Sequence, residues 1–221
     1  MTYTYDYPHP AVTVDIAIFT IQDDDFKVLL IQRGIEPFEG MWALPGGFVG
    51  IDESLRRAAW RELKEETGVN AAFLEPLSAF GHPDRDPRER VITVAYYALI
   101  PSDRLQLKAS TDAREARLFS MSDLPQLAFD HAKILRRAHR KLKDRIDDTI
   151  IALQLVPESF TLSELQRVHE MILGAPLDKR NFRKKVKALD LLTPTGKEKR
   201  DGPHRPANLY RVKDPADVPY R

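Results

Sequence analysis

Three glutamates, Glu62, Glu65 and Glu66, stand close together in the first half of the chain. If this segment is helical, their i, i+3, i+4 spacing brings all three carboxylates to one side of the helix. Like charges this close repel each other, so the arrangement is best explained by a hard cation held between them. Oxygen ligands favour Mg²⁺ or Mn²⁺ over zinc, and the chain has no cysteine. The spacing therefore predicts a divalent metal site.

The residues around these glutamates suit the same chemistry. Arg61 lies four residues before Glu65, where its guanidinium can hold carboxylates in place. Gly46 and Gly47 let the backbone come close to a metal or a phosphate, which a Cβ would hinder. A glutamate-rich helix end is more often only a solvated face. The complete spacing argues against that alternative: Gly47, five residues, Glu53, seven residues, and then residues 61–69, which read Arg-Glu-Leu-Lys-Glu-Glu-Thr-Gly-Val.

Hydrophobic periodicity and turn residues predict the elements that position this segment. Strands are expected at 11–20, 26–32, 73–80, 90–100 and 118–121, with a turn at 23–25. Helices are expected at 53–67, ended by Gly68, and at about 123–147; Leu55, Ala59 and Leu63 form the buried side of the first. The loop 81–88 is charged and broken by two prolines. Strands and helices without regular alternation indicate an α/β sandwich.

The sequence changes character after Asp147 and Asp148. Thr161 and Glu164 fit a capping box that opens a helix, and Gly174 can end it. Asp178 can cap a second helix, reaching residue 190, with Phe182, Val186 and Leu189 facing inward. Strands follow at 191–195 and 208–212, on either side of a turn. The order helix, helix, strand, turn, strand predicts a second domain.

Charge divides the chain at the same place. The net charge is +1 overall, but residues 150–221 carry 14 Lys and Arg against 9 Asp and Glu, a net of +5, which leaves −4 for the rest. An acidic front and a basic back suggest domains with different partners, and the back can approach a polyanion. With no cysteine, no signal peptide and no long apolar run, the sequence predicts a cytoplasmic protein without a membrane partner.

Residues 47–69 resemble the Nudix box of the Nudix hydrolases, which cleave a nucleoside diphosphate linked to another group X. The resemblance implies that Glu62, Glu65 and Glu66 bind the metal, Mg²⁺ or Mn²⁺, and that the Gly47 carbonyl adds a ligand. It also implies that Glu53 orients the site, that Arg61 supports it, and that a metal-activated water attacks one phosphorus. The catalytic base is left open between a box glutamate and an acid from a later loop, such as Glu115.

The resemblance extends beyond the box. Residues 33–38, 42–49, 84–87 and 127–131 are similar to ADP-ribose-type Nudix proteins, above all to the Nudix-related transcriptional regulators of NAD metabolism. In that subgroup a winged-helix DNA-binding domain follows the Nudix domain, and residues 177–185 and 205–210 resemble its tail. Many such regulators lack some of the conserved residues of the Nudix box, whereas this chain keeps every box carboxylate. Retained hydrolysis of ADP-ribose or a related compound is therefore expected.

Candidates for substrate binding flank the box. They are Arg33, Phe38, Trp42, Gly46 and Arg85. Phe38, Trp42, Tyr96 and Tyr97 have rings that could stack on a base. The alternative is that they are core residues, as aromatic residues in or beside strands more often are. A loop arginine is likewise often a solvated charge. His82 and His131 have no partner at metal spacing, so both are expected to be structural.

On the winged-helix hypothesis, the helix from Asp178 enters the major groove of double-stranded operator DNA. The residues expected to contact DNA are Lys179, Arg180, Arg183, Lys184 and Lys187 on this helix, and Lys197, Lys199 and Arg200 on the wing. Two alternatives stay open: a solvated basic helix in an accessory domain, and an RNA-associated Nudix protein. A regulator that reads a two-fold operator is expected to be a homodimer.

Taken together, the sequence predicts an α+β protein with two domains. Residues 1–148 are expected to form a Nudix α/β/α sandwich with a mixed sheet, and residues 149–221 a winged helix-turn-helix domain. The predicted function is a DNA-binding regulator with a ligand-responsive Nudix domain that still hydrolyses ADP-ribose or a related compound. The alternative is an ADP-ribose pyrophosphatase whose C-terminal domain serves assembly or specificity.

Overall fold

A computed structural model of the chain describes residues 6–69, 72–107, 113–146, 149–200 and 206–213. It begins with an antiparallel hairpin of β1 (Ala11–Gln22) and β2 (Asp25–Arg33). Asp23 and Asp24 form the two-residue turn, and both have φ of 56°. Aspartate tolerates this left-handed conformation, which matches the twist of the strands. The predicted turn is confirmed, with Asp25 already in the strand.

A seven-stranded mixed sheet is the centre of the first domain. The other strands are β3 (Trp42–Ala43), β4 (Gly46–Phe48), β5 (Phe73–Phe80), β6 (Val91–Leu99) and β7 (Ala113–Ser120). The strands lie in the order β3-β2-β1-β6-β5, with β4 also paired to β1 and β7 to β2. Strands β1 and β6 run parallel, and the remaining pairs are antiparallel. The predicted mixed sheet is confirmed.

Helices cover both faces of this sheet. Ile16 and Ile18 of β1 pack with the buried side of α1 (Leu55–Thr67), whereas Ala17 and Phe19 face α2 (His131–Arg145). Alternate residues of a strand point to opposite faces, so one apolar strand contributes to two cores. The α/β/α sandwich is therefore confirmed. Leu55 was expected to be buried, but it is 37% exposed because it lies in the first turn of α1, at the edge of the sheet.

Local signals set the ends of α1. The Ser54 hydroxyl accepts a hydrogen bond from the amide of Arg57, and Gly68 ends the helix with φ of 67°. A left-handed residue in this place favours glycine, which has no Cβ to clash. The helix therefore starts slightly later than predicted and stops at the predicted glycine.

The helix predicted at 123–147 is shorter, since α2 begins at His131. Pro125 disfavours helix at the residue before it, and Phe129 has φ of 52°. The amide of Ala128 donates to the carbonyl of Trp42 at 2.8 Å, and Leu127 forms a bridge with Trp42. A backbone pairing with a distant strand thus holds residues 123–130 out of the helix. Residue 147 lies outside the described residues.

The second domain contains the two helices and two strands in the predicted order, whereas the predicted turn reaches residues outside the described ones. Its elements are α3 (Thr149–Leu153), β8 (Phe160–Thr161), α4 (Leu162–Leu173), α5 (Lys179–Ala188), β9 (Leu192–Lys199) and β10 (Ala207–Val212). The strands pair in the order β8-β10-β9. The short elements α3 and β8 were not predicted. Phe182 and Val186 are buried as expected, but Leu189 is 43% exposed because it follows the last turn of α5.

The predicted capping box is present at the start of α4. The Thr161 hydroxyl accepts from the Glu164 amide at 3.1 Å, and a Glu164 carboxylate oxygen accepts from the Thr161 amide at 2.6 Å. We expect Thr161→Ala to lower the free energy of unfolding by about 1 kcal/mol, because the Glu164 amide loses the hydroxyl that accepts its hydrogen bond. Urea denaturation followed by circular dichroism measures this. Thr161→Ser keeps the hydroxyl and should change little; an equal loss in both variants would contradict the capping role.

The two domains share one hydrophobic cluster. Leu142 and Ile146 from the end of α2 belong to the same buried cluster as Leu165 and Ile172 of α4. His139 of α2 lies 3.4 Å from the Ile172 carbonyl, through its Nε2. The winged helix domain is therefore packed against the sandwich through α2. The predicted boundary after residue 148 stays a prediction, because residues 147 and 148 lie outside the described residues.

No helix in the described part of the chain is long and apolar enough to cross a lipid bilayer.

Candidate functional site

Arg61 holds the box carboxylates together. Its Nη2 donates to Glu53 Oε1 at 2.8 Å, and its Nη1 donates to Glu62 Oε1 at 2.6 Å. The same Nη1 lies 3.6 Å from Glu65 Oε2. The amide of Gly50 donates to Glu53 Oε1 at 2.9 Å, which fastens Glu53 to the loop before α1. Arg61 and Glu53 thus connect the carboxylate face of α1 to the preceding loop, as a supporting role would require.

Gly47 and Glu62 pack directly against each other. A Cβ on Gly47 would collide with Glu62 Oε1, so only glycine leaves room for this carboxylate. Glu62 and Glu66 are one helical turn apart, and both are buried, whereas Glu65 is exposed beside them. The three glutamates therefore lie where α1 meets the backbone of β4.

The donor set at this place suits a hard dication. It consists only of oxygen atoms, and two of its carboxylates are buried. Within the described ranges, no three His, Cys, Asp or Glu side chains are already arranged as a metal cage. Instead, Arg61 provides the positive charge beside Glu62. The residues fit the ion by their chemistry.

The two glutamates bound to Arg61 have opposite pKa shifts. Burial raises the pKa of Glu62, and the hydrogen bond and charge of Arg61 offset this only in part. The hydrogen bonds from Arg61 and from the Gly50 amide lower the pKa of Glu53. Since a nearby cation favours the charged form of a carboxylate, a dication beside Glu62 would restore its full negative charge.

An aromatic corner lies next to the box, formed by Arg33, Phe38, Arg88 and Phe129. Phe38 and Phe129 have φ of 66° and 52°, which is rare for residues other than glycine, and their rings meet edge to face at 4.8 Å. The guanidinium of Arg33 lies 4.8 Å from the centre of the Phe129 ring, and that of Arg88 lies 6.0 Å away. Strained backbone of this kind clusters at functional sites. In the corner Arg33 also donates to the carbonyls of Ile35 and Pro37, and Arg88 is paired with Asp86, so both guanidiniums are held in place beside the rings.

A buried charged network lies beneath the box. Arg85 Nη2 donates to Asp130 Oδ1 at 2.9 Å and to Asp15 Oδ2 at 3.2 Å, and the Arg85 side chain is only 3% exposed. His131 Nδ1 accepts from the amide of Leu44 at 2.9 Å. Its Nε2 then carries the proton and lies 3.5 Å from Asp15 Oδ1. Arg85, which was predicted to bind the diphosphate, is thus engaged by two aspartates.

The network also explains Gly46. A Cβ on Gly46 would meet the Val14 carbonyl and would lie 2.8 Å from Asp15 Oδ1. Glycine is therefore required for β4 to approach β1 above the buried aspartate. The expectation that His131 is structural fits its burial and its bond to Leu44.

We expect His131 to make the protein less stable in mild acid. Burial lowers the pKa of His131, and that of His139 as well, below the value of about 6.5 for an exposed histidine. The stability that a neutral His131 supplies is fully present above pH 6.5. It is lost as the pH falls from there toward the folded-state pKa, because only the unfolded chain then takes up the proton.

Urea denaturation at a series of pH values measures this dependence. His131→Asn keeps an acceptor for the Leu44 amide but cannot titrate, so its stability should vary less with pH. His82→Asn, at an exposed position, is the matched control and should behave like the wild type. An unchanged pH profile in His131→Asn would contradict the role given to burial.

The remaining candidates in the first domain lie in different surroundings. Trp42 is half-buried, with its ring edge to face with Phe119 at 4.6 Å. Tyr96 and Tyr97 are core residues, and the Tyr97 hydroxyl donates to Glu75 at 2.9 Å. The core alternative therefore holds for both tyrosines. Glu115, the later acid considered as a base, is exposed on β7.

A second candidate surface lies on the winged helix domain. Lys179, Arg180, Lys184 and Lys187 are exposed on α5, and the buried Phe182 and Val186 occupy its other side. Arg183 differs, since it is half-buried and its Nη2 lies 3.4 Å from the Ser163 hydroxyl of α4. It joins the two helices as well as bordering the basic face.

The predicted wing residues lie on or directly after β9. Lys197, Lys199 and Arg200 are all exposed. Lys199 Nζ donates to Glu164 Oε1 at 2.6 Å, which connects the wing to the start of α4. The strand β10 returns beside it, and residues 201–205 between them lie outside the described residues. The basic face of α5 and the basic strand β9 belong to one small domain, as a DNA-binding surface requires.

Several residues of the site were missed in the sequence. Asp15, Arg88, Phe129 and Asp130 all touch the network or the aromatic corner. A usable signal existed for Asp15, because a lone carboxylate inside an apolar strand is rarely buried without a partner. The conformation of Phe129 and its contact with Phe38 leave no local signal, since they depend on two distant loops meeting.

Comparisons with known proteins agree with this architecture. The Nudix domain family model matches residues 10–138, and the model of the NrtR DNA-binding winged helix domain matches residues 152–212. The chain is 40% identical over 210 residues to the ADPR responsive transcriptional repressor NtrR of Acinetobacter baylyi, covering 93% of this chain and 83% of that protein. It is also 45% identical over 130 residues to an ADP-ribose pyrophosphatase of Methanocaldococcus jannaschii, covering 59% of this chain and 73% of that protein.

A solved structure matches both domains at once. The crystal structure of Shewanella oneidensis NrtR complexed with a 27mer DNA has a TM-score of 0.83 and 38% sequence identity, and the match covers 91% of this chain and 93% of that one. The family models and the full-length relative agree with it. The chain belongs to the NrtR family of Nudix-related transcriptional regulators.

Proposed function

We propose that the chain is a transcriptional regulator whose Nudix domain binds ADP-ribose, or a related nucleoside diphosphate compound, and whose winged helix domain binds operator DNA. One observation carries the proposal: the domain that holds the complete Nudix box shares a hydrophobic cluster with the basic helix α5, on the face of the sheet opposite to α1. Two relatives support these partners: an ADPR responsive transcriptional repressor supports the ligand, and NrtR solved in complex with a 27mer DNA supports the operator.

Helix α5 is the part proposed to enter the major groove. Its exposed basic residues Lys179, Arg180, Lys184 and Lys187 would contact phosphates and base edges, while Lys197 and Arg200 of the wing would contact the backbone. Arg183 and Lys199 are proposed to act partly through their bonds to α4, which hold α5 and the wing in position. Binding by such a surface weakens steeply with salt, because phosphate contacts release counterions.

We further propose that the Nudix domain still hydrolyses its ligand with Mg²⁺ or Mn²⁺. The box keeps every carboxylate, and Glu62, Glu65, Glu66 and the Gly47 carbonyl are the groups that would hold the ion. A bound divalent ion supplies an activated water and neutralises charge on the diphosphate. Arg61 and Glu53 position the carboxylates through the bonds described above.

The aromatic corner is proposed to bind the nucleoside part of the ligand. Arg33 and Phe38 line it. Trp42 and Gly46 are proposed to act indirectly, since Trp42 packs against Phe119 and Gly46 lets β4 approach β1 above Asp15. Arg85, by contrast, is proposed to support the site from below, because Asp15 and Asp130 hold its guanidinium.

A second candidate function is that of a metabolic hydrolase, which the similarity to an ADP-ribose pyrophosphatase favours. On this view the chain is a metabolic hydrolase, and the winged helix domain serves assembly or specificity. The two functions differ in one property, because only a regulator binds operator DNA in a ligand-dependent way.

Two further expectations belong to the regulator. A homodimer is proposed, because a two-fold operator is read by two recognition helices. A cytoplasmic location is also proposed, because a regulator must reach DNA, and the proposed domains span residues 1–148 and 149–221. Sedimentation of the full chain alone and on DNA measures the oligomeric state; a monomer in both conditions would contradict the dimer.

Fluorescence anisotropy of labelled DNA from upstream of its own operon tests the proposed function. We expect full-length protein to bind this DNA more tightly than a scrambled sequence, and added ADP-ribose to change the Kd at least about fivefold, the lower end of typical coupling between sites. Mg²⁺-dependent hydrolysis without sequence-specific DNA binding would favour the metabolic hydrolase instead.

A further inference from the structure

Helix α2 starts within the candidate ligand site. Its first residue, His131, accepts a hydrogen bond from the amide of Leu44, three residues before Gly47. The residue before the helix, Asp130, binds Arg85 through two bonds, at 2.9 and 3.4 Å. Any movement of the backbone at residues 44–47 therefore acts directly on the first turn of α2.

Buried charges make this connection stiff. Arg85 holds both Asp130 and Asp15, and Asp15 lies against Gly46 and His131. Separating one member of a buried charged network leaves the others unpaired in a medium of low dielectric constant, which is strongly unfavourable. The network and the backbone above it are thus expected to move together.

The aromatic corner touches the same helix end. Phe129, which immediately precedes Asp130, contacts the rings of Phe38 at 4.8 Å and His131 at 5.2 Å, and the Arg33 guanidinium lies over its ring. A ligand that binds at Arg33 or Phe38 would therefore press on residues packed against the start of α2.

The other half of α2 packs on the winged helix domain. His139 lies 3.4 Å from the carbonyl of Ile172 in α4, and Leu142 shares a buried cluster with Leu165 of the same helix. In turn, His169 of α4 meets the Phe182 ring of α5 edge to face at 4.9 Å. Helix α2 has 15 residues and is about 22 Å long at 1.5 Å per residue. It therefore reaches from the candidate ligand site to α4, on which α5 packs.

We propose that α2 transmits the ligand state of the Nudix domain to the DNA-binding helices, and that Asp130 and His131 are the positioning residues that join it to the ligand site. The inference rests on the proposed function and names its route of regulation. Asp130 and His131 act through the backbone at residues 44–47 and are not ligands themselves. Coupling then depends on a rigid helix with a defined contact at each end.

A second contact between the domains provides a matched control. Asp24, in the turn between β1 and β2, pairs with Arg167 of α4 at 2.6 Å, and both side chains are mostly exposed. Exposed ion pairs contribute little and are screened by salt. Asp24→Asn makes the same chemical change as Asp130→Asn, but at a contact that leaves α2 and its charged network intact.

The test compares Asp130→Asn and Asp24→Asn with the wild type in the full chain. The Kd for operator DNA is measured by anisotropy with and without a saturating concentration of the α,β-methylene analogue of ADP-ribose, which is not consumed. Calorimetry measures binding of the analogue to each variant. Wild type is expected to show a Kd ratio of roughly 5–150, the usual range for coupled sites.

In Asp130→Asn the ratio, measured with the analogue at saturation, should fall below about 2, while the DNA alone still binds within about threefold of wild type. Asp24→Asn should keep the wild-type ratio. If Asp130→Asn does not fold, judged by loss of a cooperative unfolding transition, His131→Leu, which removes the acceptor for the Leu44 amide, replaces it with the same expected result. Rescue of the ratio by Asp130→Glu would show that the charge, and not the side-chain size, is required.

Three results would overturn the inference. The first is a wild-type ratio in Asp130→Asn or His131→Leu, and the second is an equal loss of coupling in Asp24→Asn. The third is loss of analogue binding in Asp130→Asn, since Asp130 would then belong to the ligand site itself. A ratio of one in the wild type is a different failure, because it would contradict the proposed function.

Discussion

Replacing Glu65 and Glu66 together by glutamine is expected to remove Mg²⁺-dependent hydrolysis of ADP-ribose, with kcat/KM lowered at least about 10²-fold. Glutamine keeps the size of both side chains but removes two negative charges that would hold the ion. Because Glu66 is buried, the isosteric change is needed to preserve packing against the sheet. Release of AMP and ribose 5-phosphate, followed by chromatography, measures the activity.

The control for this prediction removes two charges elsewhere. Glu158→Gln and Glu198→Gln change exposed glutamates of the winged helix domain and should leave hydrolysis unchanged. Circular dichroism and the thermal midpoint of both double variants should match the wild type. Full activity in Glu65→Gln/Glu66→Gln would refute the metal role of the box, and no turnover in the wild type would refute the enzymatic proposal.

The second large effect is expected on DNA binding. Changing Arg180 and Lys184 to alanine removes two exposed charges from the side of α5 opposite Phe182 and Val186. Affinity for operator DNA should fall by about 10- to 100-fold, and the slope of log K against log salt should become shallower by about 2. Anisotropy titrations at four salt concentrations give both quantities.

A matched variant separates local contacts from total charge. Arg136→Ala/Arg137→Ala removes the same charge from the exposed side of α2, far from the basic face of α5. It should keep the wild-type slope and most of the affinity. If this pair weakens binding as much as Arg180→Ala/Lys184→Ala, the bound surface is not α5 and the winged helix has been placed wrongly on the DNA.

Much of the fold was predictable because its signals are local. The spacing of box residues, the capping box at Thr161 and the glycines at 68 and 174 each depend on a few neighbouring residues, and the structure contains all of them. By contrast, the helix predicted from residue 123 fails at its beginning. The bond between Ala128 and Trp42, which holds that segment out of the helix, joins residues far apart in sequence.

The candidate site also contains residues that local spacing identifies and residues whose role depends on distant contacts. The glutamates of the box share a helix face because of their spacing alone, so they could be assigned from sequence. Arg85 could not, since its role depends on Asp15 and Asp130, which lie 70 and 45 residues away along the chain. Arg183 likewise was assigned to the open basic face, but its contact with Ser163 is visible only once α4 and α5 are packed together.

Calorimetric titration of the α,β-methylene analogue of ADP-ribose tests the central claim, that one chain joins a Nudix ligand site to a DNA-binding domain. The analogue is titrated into the full-length protein alone and into its complex with operator DNA. Coupling between two binding sites is reciprocal, so DNA must change the Kd of the analogue by the same factor, at least about fivefold, by which the analogue changes the Kd of DNA. Equal affinities with and without DNA, in a protein that binds both, would contradict the account.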